Sequence, residues 1–224
     1  LVILDIAKKR GFKKLSFHSK VVISTSIVLI IAGTLLLKAT EDISWLGAFF
    51  QSVSARTAGF STYAIGDFTN AGLFVLCVLM FIGASPGSTG GGIKTSTFFV
   101  LFQAARSACV KKNVCAFRRS ISRQNISKAS MITVLSMMVV CVATFLLCVL
   151  EPDRTFIQVF FEVVSAFGTV GLSTGITPGL SVAAKIVIIF VMFIGRLGAF
   201  TLLTIWISHP EPKIRYSEEN IAIG

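Results

Sequence analysis

The sequence predicts an all-α polytopic membrane protein built from two copies of one unit. Each unit has a spanning helix, a short re-entrant helix with a loop, and a second spanning helix. Three observations carry this. The 224 residues are 54% hydrophobic and only 14% charged, where a soluble domain carries roughly 25% charged residues. Apolar stretches long enough to cross a bilayer alternate with stretches too short to do so. The second half also repeats the first at an offset of 112 residues.

The elements follow in order. The chain starts with Leu1 inside the run LVILDIAKKR, so a longer protein is expected to precede it. Val21 to Leu37 is an apolar run of spanning length, followed by the polar patch Lys38 to Asp42. Ile43 to Ala55 is apolar but short, and it ends in ARTAGFST. Phe68 to Val110 as one helix would be about 64 Å long, roughly twice a bilayer core. It is interrupted by GASPGSTGGGIKT, Gly83 to Thr95, whose five glycines and one proline cannot continue a regular helix. Two helical pieces joined by a loop at membrane depth are expected, with the loop buried in protein or facing a wet cavity. The order then recurs: Ala129 to Leu150 spans, Phe156 to Phe167 is short, GTVGLSTG follows, and Ser181 to Ile207 spans. The tail HPEPKIRYSEENIAIG is polar and reads as a true end.

Charge sets the topology. The first twenty residues hold Lys8, Lys9, Arg10, Lys13, Lys14 and Lys20 against Asp5 alone. Arg106, Lys111, Lys112, Arg118, Arg119, Arg123 and Lys128 stand with no acid among them. Both clusters belong on the cytoplasmic side. They share a side only if the short apolar segment enters and returns, which makes it re-entrant from outside. The net charge of +11 therefore reads as topology. No aromatic-rich basic platform accompanies it, so no nucleic-acid partner is expected. Cys77, Cys109, Cys115, Cys141 and Cys148 form no CxxC pair, and no metal site or disulfide is expected from them.

In the 112-residue register Phe49 falls on Phe161, Thr57 on Thr169, Gly59 on Gly171, Ser61 on Ser173 and Thr62 on Thr174. Met80, Phe81, Ile82 and Gly83 fall on Met192, Phe193, Ile194 and Gly195. A short helix followed by Thr-x-Gly-x-Ser-Thr is the plan of a pore loop. Backbone carbonyls replace a cation's water shell, glycine supplies the backbone freedom, and the helix C-terminus turns its negative end toward the ion. The alternative is a pair of ordinary hairpins with glycine turns.

The strings FFQSVSARTAGFST, MFIGASPGSTGGGIKT, FEVVSAFGTVGLSTG and MFIGRLGAFTLL together resemble the Trk/Ktr/HKT potassium transporters. The resemblance is closest to the bacterial Ktr-type (KtrB/NtpJ-like) membrane subunit, and to its C-terminal half. It implies four repeats around one pore. Residues 1–110 would then be the third repeat, 111–128 a basic cytoplasmic linker, 129–208 the fourth repeat, and 209–224 a cytoplasmic tail. Thr57, Ala58, Gly59 and Phe60 match one filter segment, and Thr169, Val170, Gly171 and Leu172 the other, with potassium as the ion held there. Each filter has a single glycine, so selectivity is expected to be less strict than in tetrameric channels. Gly83, Ala84, Ser85, Pro86, Gly87, Ser88, Thr89, Gly90, Gly91, Gly92 and Lys94 match the family's intramembrane gating loop.

Arg196 matches a family arginine in the last pore-lining helix, where an intramembrane charge needs water or a partner. There it would raise the barrier for cations or hold the loop. The bland reading is an arginine snorkelling near a helix end. Glu162, seven residues before Thr169, could brace its filter or pair with Arg56 or Arg196, and these options stay open. Arg56, directly before Thr57, is a second candidate for filter support.

The expected function is potassium uptake across the bacterial cytoplasmic membrane, with sodium as an alternative substrate or a coupling ion. Expected partners are membrane lipid, a second copy in a homodimer, a cytosolic ring of nucleotide-binding subunits, and the two N-terminal repeats. No enzymatic activity is expected. A phosphate-binding loop at GSTGGGIKT is disfavoured because Ile93 separates Gly92 from Lys94 and the flanks are apolar helices. A packing module using the Gly83/Gly87 and Gly87/Gly91 spacings would explain one loop but not the repeated Thr-x-Gly segments. A carrier with broken helices would need a break in each half, and the sequence predicts one only in the first.

Overall fold

The structure, a computed structural model, describes residue 5 and residues 15–110, 114–117 and 119–198. Seven α-helices lie among them: α1 Phe17–Thr40, α2 Trp45–Ser54, α3 Asn70–Phe81, α4 Thr95–Cys109, α5 Arg123–Leu150, α6 Phe156–Gly168 and α7 Val182–Leu197. Single 3₁₀ turns at Ile65–Asp67 and Thr177–Gly179 close the loop of each unit. The basic linker folds in part into a hairpin, with β1 Cys115–Ala116 antiparallel to β2 Arg119–Ser120. Its last basic residues, Arg123 and Lys128, already belong to α5. The all-α expectation holds apart from this two-residue ladder.

Hydroxyl caps start the helices where the sequence turns polar. The side chains of Ser16, Ser44, Thr69, Ser122 and Ser181 each accept the N–H of the residue three further on, satisfying a donor that the helix itself leaves free. The two units share a second device. Glu41, just past α1, accepts the N–H and hydroxyl of Thr69 at 3.0 and 2.6 Å. Glu151, just past α5, accepts the N–H of Ser181 at 2.7 Å. Each carboxylate thereby fastens the end of one long helix to the start of the next and complements its positive dipole end.

α1 and α5 are each long and apolar enough to cross a bilayer. Ile27, Ile31 and Leu35 on α1, and Val134, Met138, Val142 and Phe145 on α5, are exposed. Such surfaces suit lipid as solvent. The core is centred on α6, which packs against α3, α5 and α7. Its Val159, Phe161, Val163, Val164 and Phe167 are fully or almost fully buried. The first short helix differs. α2 packs chiefly on α1 and leaves Leu46, Phe49, Phe50 and Val53 exposed along one stripe.

The break in the first unit falls where the glycines are, between α3 and α4. The second unit departs from expectation. α7 does not run on through Ile207: it stops at Leu197, and Gly198 takes φ 85° with its N–H on Ile194 O at 3.0 Å. Glycine tolerates this angle at no steric cost, so it ends the helix. In the 112-residue register the end of α3 at Phe81 falls on Phe193, so α7 runs four residues further than α3 before it stops. The remainder of the expected span, 199–207, and the tail 209–224 lie outside the described residues.

Candidate functional site: paired loops and a glycine bridge

Each short helix hands over to a Thr-x-Gly loop of unusual backbone. Thr57 and Gly59 have φ 71° and 78°, and Thr169 and Gly171 have φ 51° and 98°. Left-handed angles at alternate residues are costly for threonine, so surrounding bonds must hold them. The helices supply those bonds through two buried polar residues three apart. In α2, Gln51 Nε2 donates to Ser61 Oγ at 2.6 Å, and the Ser54 hydroxyl donates to Phe60 O. In α6, the Ser165 hydroxyl donates to Leu172 O at 2.6 Å.

Glu162 does the corresponding work with more bonds. Its Oε1 accepts the Ser173 hydroxyl at 2.7 Å, the Thr174 N–H at 2.9 Å and the Thr174 hydroxyl at 3.0 Å. Its Oε2 accepts the Thr177 hydroxyl at 2.8 Å. Of the alternatives open for Glu162, its bonds go to its own loop. Arg56 instead reaches α1, donating to Ser26 O and Oγ at 3.4 Å each.

Gln51, Ser54 and Ser165 were not among the residues singled out from the sequence. The ungapped register pairs Gln51 with Val163 and Ser54 with Ala166, which hides them. The bonded partners are offset by 111, because the second unit has one more residue between its serine and its threonine. The readable signal was the shared spacing Gln51-x-x-Ser54 and Glu162-x-x-Ser165 in two short apolar helices.

The two loops are neighbours. A Cβ on Gly59 would run into Val170 O, and one on Gly66 would stand 2.8 Å from Thr174 O. The glycine-rich segment touches both. A Cβ on Gly90 would lie 2.6 Å from Thr57 Oγ1, and one on Gly91 would lie 2.8 Å from Thr169 Cγ2. The Gly91 N–H donates to Thr169 Oγ1 at 2.9 Å and the Gly92 N–H to Phe167 O at 3.3 Å.

The segment also satisfies itself. Ile93 N–H donates to Phe81 O, Thr95 N–H to Ala84 O, and Ser88 N–H and hydroxyl to Ser85 O. The Lys94 ammonium donates to Gly90 O. A loop at membrane depth survives only with such internal partners. Gly83, Pro86, Gly87 and Thr89 complete it, and Gly87 and Gly92 take positive φ.

Beside the second loop an open cleft of about 970 Å³ is lined by residues that include Thr169, Val170, Gly171, Leu172, Ile189 and Arg196. Arg196 is exposed there, and its side chain has no hydrogen bond among the described residues. Lys94 is close enough for the two cations to repel. The five cysteines are free thiols.

The fold and these loops define a class: an all-α membrane protein made of paired helix–re-entrant loop–helix units. Residues 14–217 match the family model described as TrkH, cation transport protein, and the chain belongs to that family, one of transport proteins rather than enzymes. It is 40% identical to the Ktr system potassium uptake protein B of Vibrio alginolyticus, over 96% of this chain and 50% of that protein. It is 35% identical to the protein of the same name from Bacillus subtilis, over 100% and 53%. It is 36% identical to the potassium/sodium uptake protein NtpJ of Enterococcus hirae, over 98% and 53%. The crystal structure of the potassium transporter TrkH from Vibrio parahaemolyticus superposes with a TM-score of 0.66 at 25% identity, covering 85% of this chain and 44% of that one. The chain spans about half the length of the curated relatives it matches.

Proposed function

We propose that this chain forms the third and fourth repeats of a four-repeat pore for potassium uptake across the bacterial cytoplasmic membrane. Residues 57–60 and 169–172 are its share of the selectivity filter, and 83–95 is its gate. The observation that carries this is the twice-built loop. In each unit a helix-borne serine and a helix-borne Gln or Glu lock a Thr-x-Gly segment into alternating left-handed angles. Backbone carbonyls of such a loop are the groups that can replace a cation's hydration shell.

The gate assignment rests on the glycine segment's bonds to Thr169 and Phe167 directly beside the second filter. Arg196 and Lys94 raise the cost of a cation's passage there. Two units make half a ring. α6 is covered by α3 of the preceding repeat, and the exposed stripe of α2, Leu46, Phe49, Phe50 and Val53, awaits the same cover from the second repeat of the N-terminal half. A homodimer and a cytosolic nucleotide-binding ring are the further partners of this reading. The basic segment 106–128 is the ring's docking surface.

A sodium-conducting or sodium-coupled variant is the second reading. It is favoured by the single glycine of each filter and by the potassium/sodium name of the Enterococcus relative. Potassium and sodium uptake by the full-length protein in cells lacking other potassium uptake systems separates the two. Potassium-dependent rescue of growth supports the proposal, and sodium flux without rescue supports the alternative. In the same cells Phe49→Asp is expected to abolish rescue by blocking the α2 stripe, and full rescue would remove the four-repeat argument.

A further inference from the structure

A second cavity lies away from the pore loops, between α1, α4 and α5 and under the β1–β2 hairpin. Its volume is about 540 Å³. The hairpin is fastened over it: Gln103 Nε2 on α4 donates to Cys115 O at 2.9 Å, and Phe117 meets Phe17 and Phe99 with ring centroids 6.4 Å apart in both pairs. Among the described residues the polar lining includes Ser96, Thr97, His18, Arg119, Asn125 and Lys128, and no acid lines it. Val21, Val100 and Ile132 form an apolar flank. His18 lines it, and its Nε2 is buried without a hydrogen-bond partner among the described residues. A buried polar nitrogen left alone is costly, and a ligand that offers oxygen would satisfy it.

The basic clusters put this end of the helices at the cytoplasmic face. We propose that the cavity is a binding site for the phosphate headgroup of an anionic phospholipid of the inner leaflet. Arg119 and Lys128 pair with the phosphodiester. His18 and Asn125 give it hydrogen bonds, as do the Ser96 and Thr97 hydroxyls. An acyl chain follows the Val21, Val100 and Ile132 flank. Basic pockets between membrane helices on the cytoplasmic side bind such headgroups. Because α4 continues the glycine-rich segment, the lipid would steady the helix that anchors that segment. The site itself does not depend on the pore reading.

The test uses the purified full-length protein, stripped of lipid in detergent. Thermal stabilisation and native mass spectrometry are read with added phosphatidylglycerol, phosphatidylcholine or inorganic phosphate. The expected result is saturable stabilisation by phosphatidylglycerol, with bound lipid retained, and little from phosphatidylcholine. R119Q/K128Q should weaken it by about 30-fold. R106Q/R123Q, which removes two cations outside the lining, should leave it nearly unchanged. If R119Q/K128Q does not assemble, Asn125→Asp, which puts a carboxylate in the cavity, reads the same loss. Equal response to phosphatidylcholine, equal loss in R106Q/R123Q, or a full effect from inorganic phosphate alone would overturn the proposal, the last reassigning the cavity to a soluble anion.

Discussion

Replacing Glu162 tests how the second loop is held. The side chain is buried and accepts four bonds, three on Oε1 and one on Oε2. Glu162→Ala removes all four. The Ser173 and Thr177 hydroxyls line the open cleft, and these and the half-buried Thr174 hydroxyl can turn to water. The Thr174 N–H is fixed by the chain and cannot. Hydrogen bonds to a charged acceptor contribute about 1.5–3 kcal/mol each before such compensation, so a net loss of about 3 kcal/mol is expected. That corresponds to about a hundredfold shift toward the opened loop.

Glu162→Gln keeps the shape and the three-bond oxygen but loses the charge. Gln51 is already an amide at the equivalent place in the first unit. Its cost should be about 1 kcal/mol, or about fivefold. Hydrogen–deuterium exchange of a peptide covering 171–178 in the full-length protein reads this opening directly. The expected order is Ala far above Gln, with Gln just above wild type. Unchanged exchange in the Ala variant would refute the brace, and equal rates for Gln and Ala would refute the graded argument from charge.

Three further outcomes follow from the same contacts. Deleting residues 87–90 should raise cation flux, measured as rubidium uptake by the full-length protein, and an unaltered rate would count against a gate. Gly91→Ala puts a methyl 2.8 Å from Thr169 Cγ2 and 2.9 Å from Phe167 O, so the segment must back away from the second loop, and on the proposed gate basal rubidium uptake should rise. Lower uptake with normal expression would contradict this. The Ser181 N–H and hydroxyl hold the Glu151 carboxyl below its ordinary value. The stabilisation is therefore complete above the ordinary carboxylate pKa and is lost as pH falls below it. Glu151→Gln should flatten that acid-side fall in thermal midpoint, and an unchanged pH profile would show the contact to be idle.

Much of this architecture was legible because its causes are local. The glycines of 83–95 cannot extend a helix, so the break between α3 and α4 could be read directly. The threonines and glycines of the two loops fell into one register because both loops take left-handed angles at the same threonine and glycine positions. The bracing residues were not legible for the opposite reason. Gln51 and Ser54 act across a helix-to-loop turn that is one residue longer in the second unit, and an ungapped repeat cannot see a shift that packing absorbs. Gly198 was missed because one glycine in an apolar run is compatible with a continuing helix, and only its backbone angle reveals the stop. The cavity under the β1–β2 hairpin depends on residues from three distant helices, which no pattern along the chain brings together.

The central claim is that the Thr-x-Gly loops select the ion. Gly171 is the cleaner probe, because a Cβ there meets nothing nearer than Gly59 Cα at 4.0 Å, while its φ of 98° disfavours any side chain. Gly171→Ser therefore disturbs the loop's backbone without filling space. In the full-length protein, the ratio of potassium to sodium uptake should fall in this variant and in Gly59→Ser, while control substitutions on the outer face of α5 leave it unchanged. A ratio identical to wild type in both glycine variants would contradict the account.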